Sequence, residues 1–274
     1  MLKKVEWHGH RGCRGLLPEN SLPAFLKAID LGMDCLEMDV VISKDEKVVI
    51  AHEPYMPANI CAHPDGRAVG LEEEKSFNLF EMNYDSIAQW NCGLKHPGFP
   101  EQQSQRVHRP LLTELFEKAE SYSKSMGSSD VCYTIELKSH ENFDGLYHPG
   151  PERFSELVIN DISEYNLHDR CVIQSFDFRI LRAVRKAAPS IRISMLLTDA
   201  FSLVDSISDL GFTPEIIGPR YQLVDEDLIK ECQAKGIRVV PWTVNEVEDM
   251  RRLINLGVDG IITDYPDRKA LIVD

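Results

Sequence analysis

The sequence lacks the long apolar runs that membrane-spanning or exported chains carry. No run in the 274 residues approaches the roughly 18 apolar residues that a spanning helix needs. The basic residues Lys3 and Lys4 are followed at once by a polar run from Glu6 to Arg11, so we expect no secretory signal. These absences predict a cytoplasmic protein without a stable membrane anchor.

Positive charge is also scarce. The chain has 30 Lys and Arg residues against 44 Asp and Glu residues, which gives a formal net charge of -14. Nucleic-acid binding draws most of its affinity from a basic surface, and docking on anionic lipid needs basic clusters. The charge balance therefore argues against both partners, and the simplest interpretation of the acidity is solubility. The sequence predicts no particular oligomeric state.

Paired cysteine motifs are missing as well. No two cysteines form a C-x-x-C pair, so the sequence signals neither a zinc knuckle nor a dithiol redox site. Several cysteines lie in apolar, strand-like runs, where a free thiol behaves as a small hydrophobe. This pattern predicts a reducing compartment. The seven residues are Cys13, Cys35, Cys61, Cys92, Cys132, Cys171 and Cys232.

The chain does contain a regular alternation of short β-branched runs and longer amphipathic segments. Eight runs are predicted strands: 5–10, 35–43, 131–138, 171–176, 191–197, 215–220, 238–244 and 260–264. Predicted helices lie at 21–31, 152–165, 178–188, 201–210, 225–235 and 246–256. Eight such units predict an α/β fold, a closed (β/α)8 TIM barrel. An open doubly wound sheet is the alternative, disfavoured because no Gly-x-Gly-x-x-Gly loop is present.

One region interrupts this rhythm. Residues 53–109 are rich in Pro, Gly, His and Asn, and they are too long for a plain loop in a compact domain. We interpret them as a small inserted subdomain after the second strand, at the mouth where barrel active sites lie. Residues 1–274 are thus expected to form one barrel domain that includes this insertion.

Carboxylates occupy alternating positions in two of the predicted strands. Glu37 and Asp39 share one face of the second strand, and Glu136 and Lys138 share one face of the third. Buried like charges repel unless a cation or a shared proton compensates. We interpret the three carboxylates as ligands of one divalent cation, because all-oxygen ligation suits Mg²⁺ or Ca²⁺. Salt-bridged strand ends, with Lys138 neutralising Glu136, are the alternative.

Two histidines end extended segments near these carboxylates. His10 ends the first strand, and His52 ends an extended segment that follows the second. Imidazole titrates near neutrality, so two histidines at the barrel mouth suit general acid–base catalysis. A structural role is the alternative for each histidine taken alone. Arg11 offers a planar fork of donors suited to a phosphate group.

Together these residues give the sequence a family resemblance, because it looks like a glycerophosphodiester phosphodiesterase. The matching pieces follow the family order over almost the whole chain. They are His10-Arg11-Gly12, Pro18-Glu19-Asn20-Ser21, Glu37-x-Asp39-Val40, Ser43-Lys44-Asp45, His52, Glu136-Leu137-Lys138, Gln174-Ser175-Phe176, Trp242-Thr243-Val244-Asn245 and Gly260-Ile261-Ile262-Thr263-Asp264-Tyr265-Pro266.

The resemblance implies a barrel with an insertion after the second strand, and it implies roles for single residues. The three carboxylates would hold one divalent cation, and the two histidines would be the acid–base pair. Arg11 would contact the phosphate, Lys138 would lie close by, and Trp242 would line the pocket. Glu19 would help ligate the metal or orient Arg11. Glu53 stands where the family usually has Asp, which keeps the charge but lengthens the side chain.

The resemblance also implies a reaction, the hydrolysis of a glycerophosphodiester to glycerol 3-phosphate and an alcohol. The nearest alternative is a lysophospholipase D or another phospholipase-type phosphodiesterase. A phosphate-binding barrel without turnover is disfavoured, because binding alone would not need two titrating histidines. A barrel isomerase or aldolase is disfavoured because the histidine pair would then be idle. The sequence does not distinguish the alcohol, the metal or the order of the two histidines.

Overall fold

Short apolar strands alternate with amphipathic helices along this chain, and the strands pair in parallel. The computed structural model describes residues 5–127 and 130–272. Those residues form nine strands: β1 (Glu6–Gly9), β2 (Cys35–Ile42), β3 (Val48–Ile50), β4 (Cys132–Leu137), β5 (Cys171–Ser175), β6 (Arg192–Leu197), β7 (Ile216–Pro219), β8 (Arg238–Val239) and β9 (Gly260–Thr263). Eight of them are parallel in the order β8-β7-β6-β5-β4-β2-β1-β9, and β3 pairs antiparallel with β2.

The ends of this sheet meet through backbone hydrogen bonds. Asp259 N–H donates to Val239 O at 2.9 Å, Ile262 N–H donates to Pro241 O at 3.1 Å, and Val244 N–H donates to Ile262 O at 2.8 Å. The predicted strand 238–244 is regular only over its first two residues, because Pro241 has no N–H to give to the ladder. The prediction of a (β/α)8 barrel is confirmed.

Helices cover the outside of the barrel. Within the described residues they are α1 (Leu22–Asp30), α2 (Tyr84–Ile87), α3 (Leu112–Met126), α4 (Pro151–Glu164), α5 (Phe178–Ala187), α6 (Leu203–Leu210), α7 (Glu226–Ala234) and α8 (Val247–Leu256). The six predicted helices agree with α1 and α4–α8 to within two residues at each end. Gly211 and Gly257 adopt left-handed conformations (φ 85° and 93°) where α6 and α8 end, as helix C-caps require.

Helix α3 was not predicted from the sequence. Its buried residues Leu112, Leu115, Phe116 and Ala119 follow the i, i+3, i+4, i+7 spacing of an amphipathic helix, so the signal was present. Glu114 accepts a hydrogen bond from Leu111 N–H at 2.9 Å, which caps the first turn. The helix begins directly after the irregular region 53–109, whose composition obscured this pattern.

Residues 53–109 contain little regular structure, but they build a second apolar core. Met56, Ile60, Leu79 and Trp90 pack there with residues of β2 and β3. No described helix combines the length and apolar character that a bilayer span requires.

The prediction of unpaired cysteines in a reducing compartment is corrected at two positions. Cys61 and Cys92 form a disulfide, with an S–S distance of 2.08 Å. The backbones of Ala62 and Asn91 exchange two hydrogen bonds, of 2.7 and 3.1 Å, and this pairing brings the neighbouring cysteines together. A separation of 31 residues gives no local signal of such a contact.

Candidate active site

Three carboxylates lie together inside the barrel, with Asp39 and Glu136 towards the carboxyl ends of β2 and β4 and Glu37 one layer deeper. Asp39 and Glu136 are direct partners in the parallel register, so their side chains point to the same side. Glu37 lies two residues before Asp39 on the same face, while Met38 packs outward under the helices. One oxygen from each carboxylate lies within 4.8 Å of the others. All three residues are buried.

The pKa values of Glu37 and Asp39 shift in opposite directions. Burial and the charge of Asp39 raise the pKa of Glu37 well above its ordinary value. Burial also disfavours a charge on Asp39, but the positive charges around it, led by Arg11 and including Lys138, together outweigh burial and hold the pKa of Asp39 well below its ordinary value. Asp39 Oδ1 is buried and has no hydrogen-bond partner among the described residues. An oxygen-only donor set with an unpartnered carboxylate oxygen fits a hard divalent cation.

His10 stands beside this cluster with a fixed ring orientation. Its Nδ1 lies 2.6 Å from Asp264 Oδ1, and its Nε2 lies 3.9 Å from Glu37 Oε2. Asn245 donates to the other oxygen of Asp264 at 2.8 Å. Burial opposes ionisation of Asp264, but the charge and hydrogen bond of His10, together with Arg14 and Asn245, outweigh it and lower the pKa of this carboxyl. Asp264 had no role among the sequence predictions, although its place after the last strand was a usable signal.

His52 reaches the site because the chain folds back after β2. Strand β3 runs antiparallel to β2, and Ala51 N–H donates to Asp39 O at 3.0 Å, which brings His52 to the mouth. His52 Nδ1 lies 2.7 Å from Glu53 Oε1, so the longer side chain at this position still makes the contact. Burial opposes ionisation of Glu53, but His52 outweighs it and lowers the pKa of Glu53 to about 2.

Lys138 connects the second histidine to the carboxylates. Its Nζ donates to Glu136 Oε1 at 2.7 Å and lies 3.1 Å from His52 Nε2. Burial alone would lower the pKa of this amine, but the charges of Glu136 and Asp39 raise it. Lys138 therefore carries a positive charge inside the site, where an anionic substrate needs one.

Arg11 is held by carboxylates on two sides. Its Nη1 donates to Glu19 Oε1 at 2.7 Å, and its Nε lies 3.1 Å from Asp39 Oδ2. Its backbone N–H donates to Glu37 Oε2 at 2.9 Å, which requires a left-handed conformation (φ 48°). Gly12 follows because a Cβ there would lie 2.7 Å from the backbone of Ala24.

Asn20 and Gln174 orient the carboxylates, although neither had a role among the sequence predictions. Asn20 Nδ2 donates to Asp39 Oδ2, and Gln174 Nε2 donates to Glu37 Oε1, both at 2.9 Å. Both residues were part of matched motifs. Their partners lie on other strands, so sequence spacing gave no indication of these contacts.

These side chains surround a cavity of about 340 Å³. Seven of the eight predicted site residues line it, and Asp39 lies beneath them. The charged site residues form the polar part of the lining, and Phe176, Leu196 and Trp242 form its apolar part. Trp242 donates from Nε1 to Gly218 O at 2.7 Å, and its ring meets Phe176 edge to face at 5.6 Å. The cavity thus combines a charged side with an apolar side.

A barrel whose mouth combines a carboxylate cluster, two oriented histidines and the positively charged side chains of Arg11 and Lys138 suits an enzyme that uses acid–base catalysis on an anionic substrate. Residues 10–268 match the model of the Glycerophosphoryl diester phosphodiesterase family. The chain belongs to this family. The predictions of a family member, of an enzyme and of phosphodiesterase activity on glycerophosphodiesters are confirmed.

Individual relatives agree with this assignment. A Caldanaerobacter subterraneus protein named glycerophosphodiester phosphodiesterase is 34% identical over 263 residues, covering 94% of this chain and 93% of its own. The chain is also 25% identical to a Rattus norvegicus lysophospholipase D, covering 94% of this chain and 83% of the relative.

Solved structures share the fold. A Silicibacter pomeroyi crystal structure superposes with a TM-score of 0.88 at 30% identity, over 98% of this chain and 93% of the other. An Oleispira antarctica phosphodiesterase, solved with the product sn-glycerol-3-phosphate, gives a TM-score of 0.77 at 20% identity, over 98% and 96%.

Proposed function

We propose that this enzyme uses a divalent cation, Mg²⁺ or Ca²⁺, to hydrolyse glycerophosphodiesters to glycerol 3-phosphate and an alcohol. The observation that carries the proposal is the carboxylate cluster of Glu37, Asp39 and Glu136, with His10 on the Glu37 side and His52 on the Glu136 side. The name of the Caldanaerobacter relative and the product held by the Oleispira enzyme support this substrate class.

The cation would be held by Glu37, Asp39 and Glu136. When bound, it would supply Lewis-acid stabilisation of the charge that develops on the phosphoryl oxygens. The residues fit this role because they offer oxygen donors only, and because Asp39 Oδ1 accepts no hydrogen bond from the described residues and has only a long 3.9 Å ion-pair contact with Lys138. The choice between Mg²⁺ and Ca²⁺ belongs to experiment, since both prefer such ligands.

His10 would act as the general base. The Asp264 carboxylate fixes Nδ1, so Nε2 faces Glu37 and the cavity and is free to take a proton from the nucleophile. The negative charge of Asp264 would stabilise the imidazolium that results. Acid–base assistance of this kind contributes about 10²–10⁴-fold to a rate.

His52 would act as the general acid. Its Nδ1 contacts Glu53, which would stabilise the protonated ring, and its Nε2 faces the cavity, where it would carry the proton once the substrate phosphate has taken up the Lys138 ammonium that donates to it here. From there it would protonate the oxygen of the leaving alcohol. The nucleophile is either water or the neighbouring glycerol hydroxyl, and rapid-quench sampling separates the two. A cyclic phosphate in those samples would rule out direct attack by water.

Binding of the diester would use both walls of the cavity. Lys138 and Arg11 would offset the phosphate charge, which an acidic protein must do locally. Trp242 and Phe176 would pack against the glycerol or the alcohol. Residues 1–274 would act as one domain, with the insertion 53–109 shaping the entrance. We propose no nucleic-acid partner.

The direct test is glycerol 3-phosphate release from glycerophosphocholine and glycerophosphoethanolamine. We expect release that EDTA stops and that added Mg²⁺ or Ca²⁺ restores. Release that continues unchanged in EDTA would contradict the metal role and leave the hydrolase role intact. A folded protein that releases nothing with any metal would contradict the substrate assignment.

Cleavage of lysophospholipids is a second candidate, favoured by one observation. Phe176 is 39% exposed, and it lines both the catalytic cavity and a neighbouring cavity of about 430 Å³. An acyl chain leaving the catalytic cavity would pass this ring. Comparing kcat/KM for lysophosphatidylcholine and glycerophosphocholine decides between the candidates. A higher value for the lysolipid would make it the preferred substrate.

The cytoplasmic location stays a prediction, and the disulfide weighs against it. Disulfides persist in oxidising compartments and are rare in the cytosol. Alkylation of thiols in freshly lysed native cells would test the point. Labelled Cys61 and Cys92 would support the cytoplasm, whereas protected ones would support an oxidising compartment.

A further inference from the structure

Four potential metal ligands gather at the amino end of the barrel, away from the catalytic mouth. Glu6 and His8 lie on β1, Cys35 begins β2 and Cys132 begins β4. In the parallel register His8 is the partner of Cys35, and Cys35 is the partner of Cys132. Register partners on parallel strands point to the same side, so these three side chains are neighbours inside the barrel.

The donor atoms of this group converge. One ligand atom each from Glu6, His8 and Cys35 lies within 4.8 Å of the others. The thiol of Cys35 interacts with both the thiol of Cys132 and the carboxyl group of Glu6. His8 and Cys35 are buried, whereas Cys132 is half-buried and the Glu6 side chain is 23% exposed. The group is therefore reachable from solvent on the amino-end side.

The ring of His8 is oriented as metal-binding imidazoles usually are. Its Nδ1 lies 3.0 Å from Thr134 Oγ1, and its Nε2 lies 2.9 Å from Glu6 Oε1. A histidine ligand typically gives its other ring N–H to a second group, which fixes the tautomer. When Nδ1 donates to Thr134, the Nε2 lone pair faces a carboxylate. In that case Nε2 and the Glu6 oxygen are both acceptors, and at 2.9 Å a proton or a cation must lie between them.

Strand β9 closes one side of this group. Gly260 on β9 is the register partner of Glu6, and a Cβ at this position would lie 3.2 Å from His8 Nε2 and 2.9 Å from the backbone oxygen of Glu6. Any side chain here would therefore crowd the ring. Arg238 approaches the group from one side, with Nη2 3.3 Å from Glu6 Oε2. This contact leaves Oε1 turned towards His8 and Cys35.

We propose that Glu6, His8, Cys35 and Cys132 form a second metal site, for a borderline or soft transition-metal cation of the zinc class. Nitrogen and sulfur donors select such ions, whereas the oxygen-only catalytic cluster selects Mg²⁺ or Ca²⁺. The bound ion links β1, β2 and β4 at their amino ends. These same strands carry Asp39 and Glu136 and lead into His10, so the site stabilises the scaffold without touching substrate.

Cobalt(II) is the probe that tests this proposal. The full-length protein is purified anaerobically without reductant, treated with chelator, desalted and titrated with Co²⁺. Thiolate ligation gives a near-ultraviolet charge-transfer band that an oxygen-only site cannot produce, so the catalytic cluster does not interfere. We expect this band to saturate at one equivalent per chain. A Zn²⁺ titration should then displace it and raise the melting temperature.

Matched variants locate the ligands. Cys132→Ser, at a half-buried position, should lower the band to about half without unfolding the protein, Cys35→Ser should do the same, and the C35S/C132S double variant should abolish it. Cys232→Ser, at a buried cysteine on α7, and the C61S/C92S double variant should keep it. No band at several equivalents of Co²⁺ would overturn the proposal. A band that survives in the C35S/C132S double variant would overturn it as well.

Discussion

The two ends of this barrel use the same strands for different chemistry. At the carboxyl ends, β2 and β4 present Glu37, Asp39 and Glu136, which are hard oxygen donors. At the amino ends, the same strands present Cys35 and Cys132, with His8 on β1 beside them. Residues two apart on a strand share a face, so both sets point into the barrel. The type of donor atom therefore depends on the position along the strand, and not on which strand carries the residue.

The connections at the two ends differ in length, and this difference explains which end is catalytic. The mouth receives the insertion 53–109 and the segment 138–150, which can vary without breaking a strand. At the amino ends the helices return through short turns, such as 31–34 and 257–259. Long connections can supply partners such as Glu53 for His52, whereas short turns mainly close the fold.

The largest expected loss of kcat/KM comes from Glu37→Gln, in the catalytic cluster. This change removes one anionic ligand and should lower kcat/KM by about 10³-fold or more, because Lewis-acid stabilisation is worth several kcal/mol. The matched change at the amino end is Glu120→Gln, at a carboxylate that accepts hydrogen bonds from Tyr133 and Arg170. It should leave activity within about twofold, because Glu120 lies on α3 outside the lining of the catalytic cavity and a glutamine can still accept a hydrogen bond. Equal losses in both variants would contradict the assignment of the carboxyl ends.

The next effect separates the acid–base group from the metal ligands. His52→Ala should reduce turnover by about 10²–10⁴-fold while leaving cation affinity near normal, because His52 touches Lys138 and Glu53 but is not placed as a ligand. Calorimetric titration with Mg²⁺ or Ca²⁺ and steady-state kinetics provide the two readouts. His168→Ala, at a half-buried histidine before β5, is the control. Near-normal turnover of His52→Ala would rule out its catalytic role.

A smaller effect should follow from Asp264→Asn. The amide keeps the size and one hydrogen bond but removes the charge that stabilises protonated His10, so only part of the acid–base gain is lost, about 10- to 100-fold. The loss should appear mainly in kcat, because Asp264 acts through His10 and does not line the cavity. Asn245→Ala, which removes only a support of Asp264, should show the same trend more weakly. A kcat of Asp264→Asn within about twofold of the unsubstituted protein would reduce this residue to a structural role.

Local patterns in the sequence predict the elements of this fold well. Alternating carboxylates place Glu37 and Asp39 on one face, and terminal glycines such as Gly257 mark the helix ends, because each depends on neighbours along the chain. Strand β8 is shorter than its apolar run suggests, because Pro241 cannot donate to the ladder. Helix α3 is the one omission that a periodicity count would have corrected.

Contacts between distant residues are not predictable in this way. His10 and Asp264 are 254 positions apart and meet only because β1 and β9 pair when the barrel closes. Cys61 and Cys92 meet only because irregular segments of the insertion pair with each other. Their geometry follows from tertiary packing, and their spacing in the sequence indicates nothing about it.

The smallest predicted effect concerns acid stability at the amino end. Burial opposes ionisation of Glu6, but its hydrogen bond with His8 and the charge of Arg238 lower its pKa to about 2, from an ordinary value of 4.5. A lowered folded-state pKa stabilises the protein above 4.5, and this contribution is lost as the pH falls towards 2. Between pH 6 and pH 4 the loss from this one group is roughly 1 kcal/mol.

Glu6→Gln removes this titration, so its unfolding free energy should fall less between pH 6 and pH 4 than that of the unsubstituted protein. Urea unfolding in EDTA measures the difference without a contribution from bound metal. Glu226→Gln, at an exposed carboxylate on α7 whose ion pair with Lys230 is open to solvent, is the control and should show no change in slope. Identical pH dependence in the unsubstituted protein and Glu6→Gln would mean that the Glu6–His8 contact contributes nothing to stability. The amino end would then differ from the mouth only in its donor atoms.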